Sequence, residues 1–387
     1  MTPHPSSDAA AAPREASPGS GPPPNPWLSA QRFALAAAMV LALAWLVWPT
    51  PDRGDSFTPV DEEALAPTVW ETWDLEPTDW PGSVDGAPWR PLAFLDDGAA
   101  LGTDDSGRLL YLEPGDEPDV TVLAEPGGAP GIAAVAATDD RLAWIESVPD
   151  AEGRVVSGLW TAERGPDGRP GEAERLTGDT GDVIASGSTY DLQFASEALH
   201  WLSTAPGDEP ITEHRSIPVE GGEVEVVGHV GSWHAAAWPW LASAGSESVG
   251  RSQMVRTDNG SGLTLQADPE ELALCSATWC RLVKTDPDGS RIDLIRPDGT
   301  ERVTVAEGFA SAVSQDVGLI DRFEPLEETS GETGDGTRLL LFDLGESVTY
   351  LVDSQTSNAG ADDRHLWWST GTGELRNWHV LDLTDLA

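Results

Sequence analysis

Residues 281–308, RLVKTDPDGSRIDLIRPDGTERVTVAEG, decide how the chain is read. They hold a short strand, an Asp-Gly turn, a basic residue, an alternating strand and a further β-rich run. Asp and Gly favour tight turns for backbone reasons, and alternation of apolar and polar residues is the period of a half-buried strand. Together these features predict consecutive antiparallel strands with no helix between them.

The same unit recurs outward from this stretch. Asp105-Ser-Gly-Arg108 precedes LLYLEP, Glu152-Gly-Arg154 precedes VVSGLWTAE, and His214-Arg215 precedes SIPV. Gly250-Arg251 leads into SQMVRT, Asp288-Gly-Ser-Arg291 into IDLIRPDG, Asp335-Gly-Thr-Arg338 into LLLFDL, and Gly373-Glu-Leu-Arg376 into NWHVLDL. The spacings between these arginines are 46, 61, 36, 40, 47 and 38 residues, centred on the length of a propeller blade. Ahead of most turns lies an apolar strand (Arg141–Ile145, Ala198–Leu202, His365–Trp368), and after them a β-rich run such as VTVLAEP, EVEVVGHV, GLTLQADP or SVTYLVD. About four strands per repeat predict an all-β fold, a β-propeller of WD40-like, four-stranded blades. Seven arginines suggest seven blades, with six as the alternative count and a pair of β-sandwiches as the rival fold. The last repeat stops soon after NWHVLDL, so Thr68–Leu75 (TVWETWDL) is expected to supply its outer strand and close the ring.

Glu174-Arg-Leu-Thr177 and Thr285-Asp-Pro-Asp-Gly-Ser290 followed by IDLIRPDGT resemble blade segments of the TolB-like periplasmic propellers. The likeness extends over residues 66–387 in rhythm. It implies a propeller that binds protein or a small ligand, and assigns no residue a role.

Upstream, residues 1–30 form a Pro/Ala/Ser-rich tail with too few large apolar side chains to fold. Phe33–Trp48 is apolar throughout, and residues 31–49 are expected to form one transmembrane helix, a signal-anchor, followed by a linker over 50–65. Ala42-Leu43-Ala44 has small-x-small spacing and offers cleavage of a signal peptide as the alternative, but Trp45–Trp48 continues the apolar run beyond it. Arg14 and Arg32 precede the span and the acidic bulk follows it, which places the tail in the cytoplasm and the remainder outside the cell.

With 66 acidic residues against 22 basic ones the net charge is −44, a field that repels phosphate backbones and excludes nucleic acid as a partner. Lys284 is the only lysine while Arg, Ala, Gly and Pro abound, the mark of a high-GC bacterial genome. Cys275 and Cys280 flank a predicted tight turn, so a cross-strand disulfide is expected in an oxidising compartment.

No P-loop, G-x-S-x-G elbow, H-E-x-x-H or dinucleotide fingerprint occurs, and no catalytic residue, cofactor or metal ligand is assigned. The recurrent arginines are expected to hold turns and edges together. Of 17 tryptophans, most should fill the core, and Trp233, Trp238 and Trp240 around His234 form a candidate platform for sugar or peptide. The expected function is a membrane-anchored, extracytoplasmic scaffold for an envelope protein or cell-wall component. The alternative is a carbohydrate-active hydrolase or lyase with carboxylates at the propeller mouth.

Overall fold

A computed structural model describes residues 66–386 apart from 116–117, 128–130, 288 and 330–335. The tail, the apolar span and the linker expected over residues 1–65 lie outside the described residues, and no helix among the described ones is long and apolar enough to cross a membrane.

The strands form seven separate antiparallel sheets, six of them drawn from successive stretches of chain: residues 83–124, 131–177, 182–230, 233–266, 272–308 and 310–356. The seventh combines Asn358–Ala361, His365–Thr370 and Asn377–Asp382 with Thr78–Pro81 from the other end of the chain. We number these sheets as blades 1 to 7. Blades 1 and 3 each carry one extra two-residue strand, Ser83–Val84 and Asp182–Val183, beside an otherwise four-stranded sheet.

Packing makes the sheets a ring. Seven clusters of buried side chains are found, and each joins two neighbouring blades: Leu101 with Trp144 between blades 1 and 2, Ile145 with Trp201 between 2 and 3, and so on to Trp378 with Trp89 between 7 and 1. Second strands are covered on both faces, as in Ala198–Thr204 and His365–Thr370, whereas the outer strand Glu225–Val230 is almost wholly exposed. That gradient is what radial stacking of blades requires. The chain is a seven-bladed β-propeller.

All seven repeat arginines mark the start or body of a third strand, which is why the repeat was readable. Arg108 pairs with Asp104 at 2.7 Å, Arg154 with Asp150 at 2.7 Å, Arg215 with Glu213 at 2.6 Å, and Arg291 with Asp293 at 2.9 Å, while Arg338 pairs with Glu328 across its hairpin. The charge-assisted pairs at Asp104 and Asp150 fix the turns that align their strands, whereas those of Arg215 and Arg291 run along a single strand.

Ring closure differs from expectation in its position. Thr68 caps a one-turn helix, Val69–Trp73, by accepting a hydrogen bond from Glu71 N at 3.2 Å, and Asp74 ends it in the left-handed region at φ 53°. The spacing of Trp70 and Trp73 suits that turn: Trp70 stacks on Trp368 at 5.8 Å and Trp73 meets Tyr350 edge-on at 4.6 Å. The segment read as a strand is therefore a helical plug against blades 6 and 7. Closure falls to Thr78–Pro81, where Trp80 lies opposite Trp378 and Asp79 opposite His379.

Cys275 and Cys280 are opposite one another on the first hairpin of blade 5 and form the expected disulfide. Because the closed loop is short, converting both to serine should cost about 2 kcal/mol in the chain-entropy model. Urea denaturation of the oxidised protein and the variant would measure this, and an unchanged midpoint would show that the bond adds no stability.

Candidate functional site

The inner strands surround a central channel, and two loops from opposite sides of the ring meet inside it. One is residues 186–191, leading into the inner strand of blade 3. Asp191, 4% exposed, fixes its shape by accepting from Ser186 N at 2.6 Å, Gly187 N at 2.7 Å and Ser188 N at 3.1 Å, with Ser186 Oγ at 2.8 Å on its other oxygen. The other is residues 313–318, after the inner strand of blade 6. Its Asp316 accepts from Thr189 N at 3.0 Å and Thr189 Oγ1 at 2.5 Å on one oxygen, and from Ser188 Oγ on the other.

Blade 5 pins the second loop from behind. Arg281 donates to Ser314 O at 2.9 Å and Asp316 O at 2.8 Å, and its Nε donates to Glu324 Oε1 at 2.6 Å. Gly318 N donates to the remaining Glu324 oxygen at 3.0 Å. Gly318 adopts φ +63°, and a Cβ there would stand 2.3 Å from Trp279, so both the conformation and the space demand glycine.

The joined loops split the channel. On one side, between blades 1, 2, 3 and 7, lies a cavity of about 480 Å³. On the other, between blades 3, 4, 5 and 6, lies a cavity of about 280 Å³ with a more apolar lining that includes His234, Leu272, Leu274 and Cys275. Tyr190 lines both.

The larger cavity concentrates charge. Asp362 accepts from His365 N at 2.6 Å, Arg364 N at 2.9 Å and Phe94 N at 3.3 Å, and it faces His365 Nδ1 at 3.2 Å. Burial disfavours the charged form of His365, but Asp362 more than offsets this and holds its pKa above the usual value. Asp363 stays accessible to water yet stands within the ring. Loss of bulk water first, and then the charges of Asp362 and Asp316, push its pKa up to about 6. Burial, then the same three carboxylates, raise Tyr190 and keep it a neutral phenol.

A raised carboxyl pKa means that the folded chain binds the proton more tightly than the unfolded one, so stability from this group is present below pH 3.8 and is lost as pH rises to about 6. Asp363→Asn should therefore gain thermal stability over the wild type as pH rises from 4 to 6, with a constant difference above that. Parallel melting curves of the two proteins across this window would reveal a flat difference if Asp363 titrates normally.

The four residues of the candidate platform are dispersed. His234 lines the smaller cavity, its Nε2 3.2 Å from Cys275 O. Trp233 packs against Leu202, Ala235 and Leu241 and donates to Val230 O at 2.9 Å. Trp238 stacks on His200 with ring centroids 3.9 Å apart, and His200 in turn contacts His214 at 3.1 Å. Trp240 packs on the core between blades 4 and 5 and lies under Arg256. Among the described residues no ring contact joins any two of these tryptophans.

No family model matches this chain. No curated protein matches it in sequence either. Solved structures do resemble it in shape. The β-propeller domain of the trilobed protease of Pyrococcus furiosus shares 8% identity over 65% of this chain and 82% of that one, with a TM-score of 0.43. TolB of Acinetobacter baumannii shares 11% over 71% and 67%, with a TM-score of 0.39. The acylaminoacyl peptidase of Pyrococcus horikoshii shares 9% over 65% of this chain, with a TM-score of 0.43, and this chain spans only 44% of its length. At such identities nothing about activity transfers. The fold rests on this chain's own strand order.

The residues that build the channel, Ser186–Asp191, Asp316, Asp362 and Asp363, carry no motif. Their one trace in the sequence is the 61-residue spacing between Arg154 and Arg215, long for a blade, which contains the loop at 186–191. Among the described residues no group of three or more His, Cys, Asp or Glu is placed to hold a metal ion.

Proposed function

We propose that this protein is a non-catalytic binding scaffold, held at the membrane through residues 31–49 with its propeller outside the cell, where it engages an envelope protein or a cell-wall component. The observation that carries the reading is how the channel's carboxylates are used. Asp362 and Asp316, both buried, spend both oxygens on donors within the fold, while Asp363 and the exposed Asp139 are the carboxylates of the larger cavity that take no such donor. Glycoside hydrolysis in its usual form needs two carboxylates flanking the bond, one to donate a proton and one to attack or activate water. With the buried carboxylates Asp362 and Asp316 committed as acceptors, the arrangement suits recognition instead.

The address is supported by the apolar run at Phe33–Trp48 and by the disulfide, which persists in oxidising compartments. The net charge of −44 favours partners with basic surfaces, whose approach it would accelerate.

Two measurements on the full chain in its native membrane test this. Protease added outside spheroplasts should digest residues 66–387, and crosslinking in intact cells should recover the same envelope protein or wall fragment from independent preparations. Protection of the ring from external protease would overturn the address, and repeated crosslinking without a reproducible partner would overturn the scaffold reading.

A further inference from the structure

Three basic side chains reach the larger cavity, and all are neutralised by the protein itself. Arg164 pairs with Asp97, Arg364 with Asp382 and Asp96 at 2.5 Å each, and His365 with Asp362 at 3.2 Å. Among the described residues no ion pair engages the carboxylates of Asp363 or Asp139 in the same lining, and of the two it is Asp363 that stands near Tyr190, Asp362 and Asp316. The lining also includes the half-buried Phe194 and Tyr190, whereas Phe94 is taken up by the core, its ring packed on Trp80 and Trp367. At about 480 Å³ the space falls within the range of small-molecule sites.

We propose that this cavity is a binding site for a small organic ammonium ion, whose nitrogen pairs with the Asp363 carboxylate while its carbon skeleton lies against Phe194 and Tyr190. The features act independently. A carboxylate without an ion-pair partner inside a cavity attracts one positive charge, and aromatic faces attract a cation through their quadrupole while covering its apolar part. Other ligand classes fit less well. A divalent metal needs several oxygen ligands, and those of Asp362 and Asp316 already accept hydrogen bonds within the fold. An anion would meet arginines whose charge is already matched. A neutral sugar would leave Asp363 without its counter-charge.

The inference rests on the binding reading and names the ligand chemistry of the channel. A partner recovered at the membrane, with no response to amines, would leave that reading in place and remove this one.

The test is isothermal titration of the full chain in detergent, at pH 7.5 and physiological salt, with phenethylamine and n-butylamine as probes. 2-Phenylethanol and n-butanol serve as uncharged isosteres. Saturable binding of at least one amine is expected, with affinity about tenfold or more weaker for its alcohol and for Asp363→Asn. Asp208→Asn, on an exposed loop, should bind as the wild type does and so report any general attraction to the acidic surface. The amine signal should fall when the titration is repeated at pH 5, where Asp363 takes up a proton and His365, in the same lining, carries its positive charge. N-acetyl-lysine methylamide separates the sources of the group: tighter binding than phenethylamine would identify a lysine side chain, weaker binding a free amine. No saturable binding of any amine, or equal binding of amine and alcohol by the wild type, would overturn the proposal. Equal binding of the amine by wild type and Asp363→Asn would do the same, and the alcohol comparison decides the matter if that variant does not fold.

Discussion

Replacing Arg281 with alanine will lower the unfolding free energy by about 3–5 kcal/mol, the cost of leaving one partner of a buried ion pair uncompensated. Its side chain is 4% exposed and that of Glu324 is 0% exposed, so water cannot replace the lost guanidinium. The damage extends beyond the pair. Ser314 O and Asp316 O lose their donors, and the loop that carries Asp316 loses its support from behind. Converting the pair together, Arg281→Met with Glu324→Leu, should recover much of the loss, because two apolar side chains of similar volume leave no stranded charge. Chemical denaturation at pH 7 of the wild type, the single variant and the double variant would decide the matter. A single-variant loss below about 1 kcal/mol would show that the pair is solvated, contrary to its burial.

A second large effect is expected at the seam of the ring. Exchanging Thr78–Pro81 for Gly-Ser-Gly-Ser removes Trp80, which is 4% exposed and packs with Trp89, Phe94 and Trp378. Losing a buried tryptophan alone costs about 3–5 kcal/mol. The exchange also weakens the ladder to Asn377–Asp382 and uncovers that strand, and an open edge pairs readily with other chains. The variant should unfold at markedly lower denaturant and show self-association in size-exclusion chromatography. Monomeric behaviour with near-wild-type stability would mean that the other six interfaces hold the ring without its closure.

Local features of the sequence were enough to read the blades. Asp-Gly turns, the arginine after each turn and the alternation of the strand that follows are all set within about ten residues, the range over which turn chemistry and strand period operate. Thr68–Leu75 misled because its alternation of threonine, tryptophan and acid fits a strand. The side-chain cap at Thr68 and the docking of Trp70 and Trp73 onto blades 6 and 7 decide for a helix, and the latter contacts come from the far end of the chain, as the hydrogen bond from Trp70 to Val352 O, 282 residues away, shows. The same reason hid the channel. Asp316 meets Ser188 and Thr189 across 127 residues or more, and Asp362 meets Phe94 across 268. No single-chain pattern records such partners. Tryptophan clustering in sequence was a poor guide as well, since neighbours along a hairpin point to different blade interfaces.

The short helix at Val69–Trp73 gives the molecule a mechanical property. Any tension drawn along the backbone from residue 66 reaches blade 6 first, where Leu351 N donates to Pro67 O at 3.0 Å and Trp70 Nε1 donates to Val352 O at 3.0 Å. Only beyond these contacts, and the stacking of Trp70 on Trp368, does the chain arrive at the strand that completes the ring. A pull at this end is thus borne by the helix before it can peel Thr78 away from Val380. The helix works as strain relief, as a clamp does where a cable enters its plug, so a load that frayed the first residues would still leave the propeller closed.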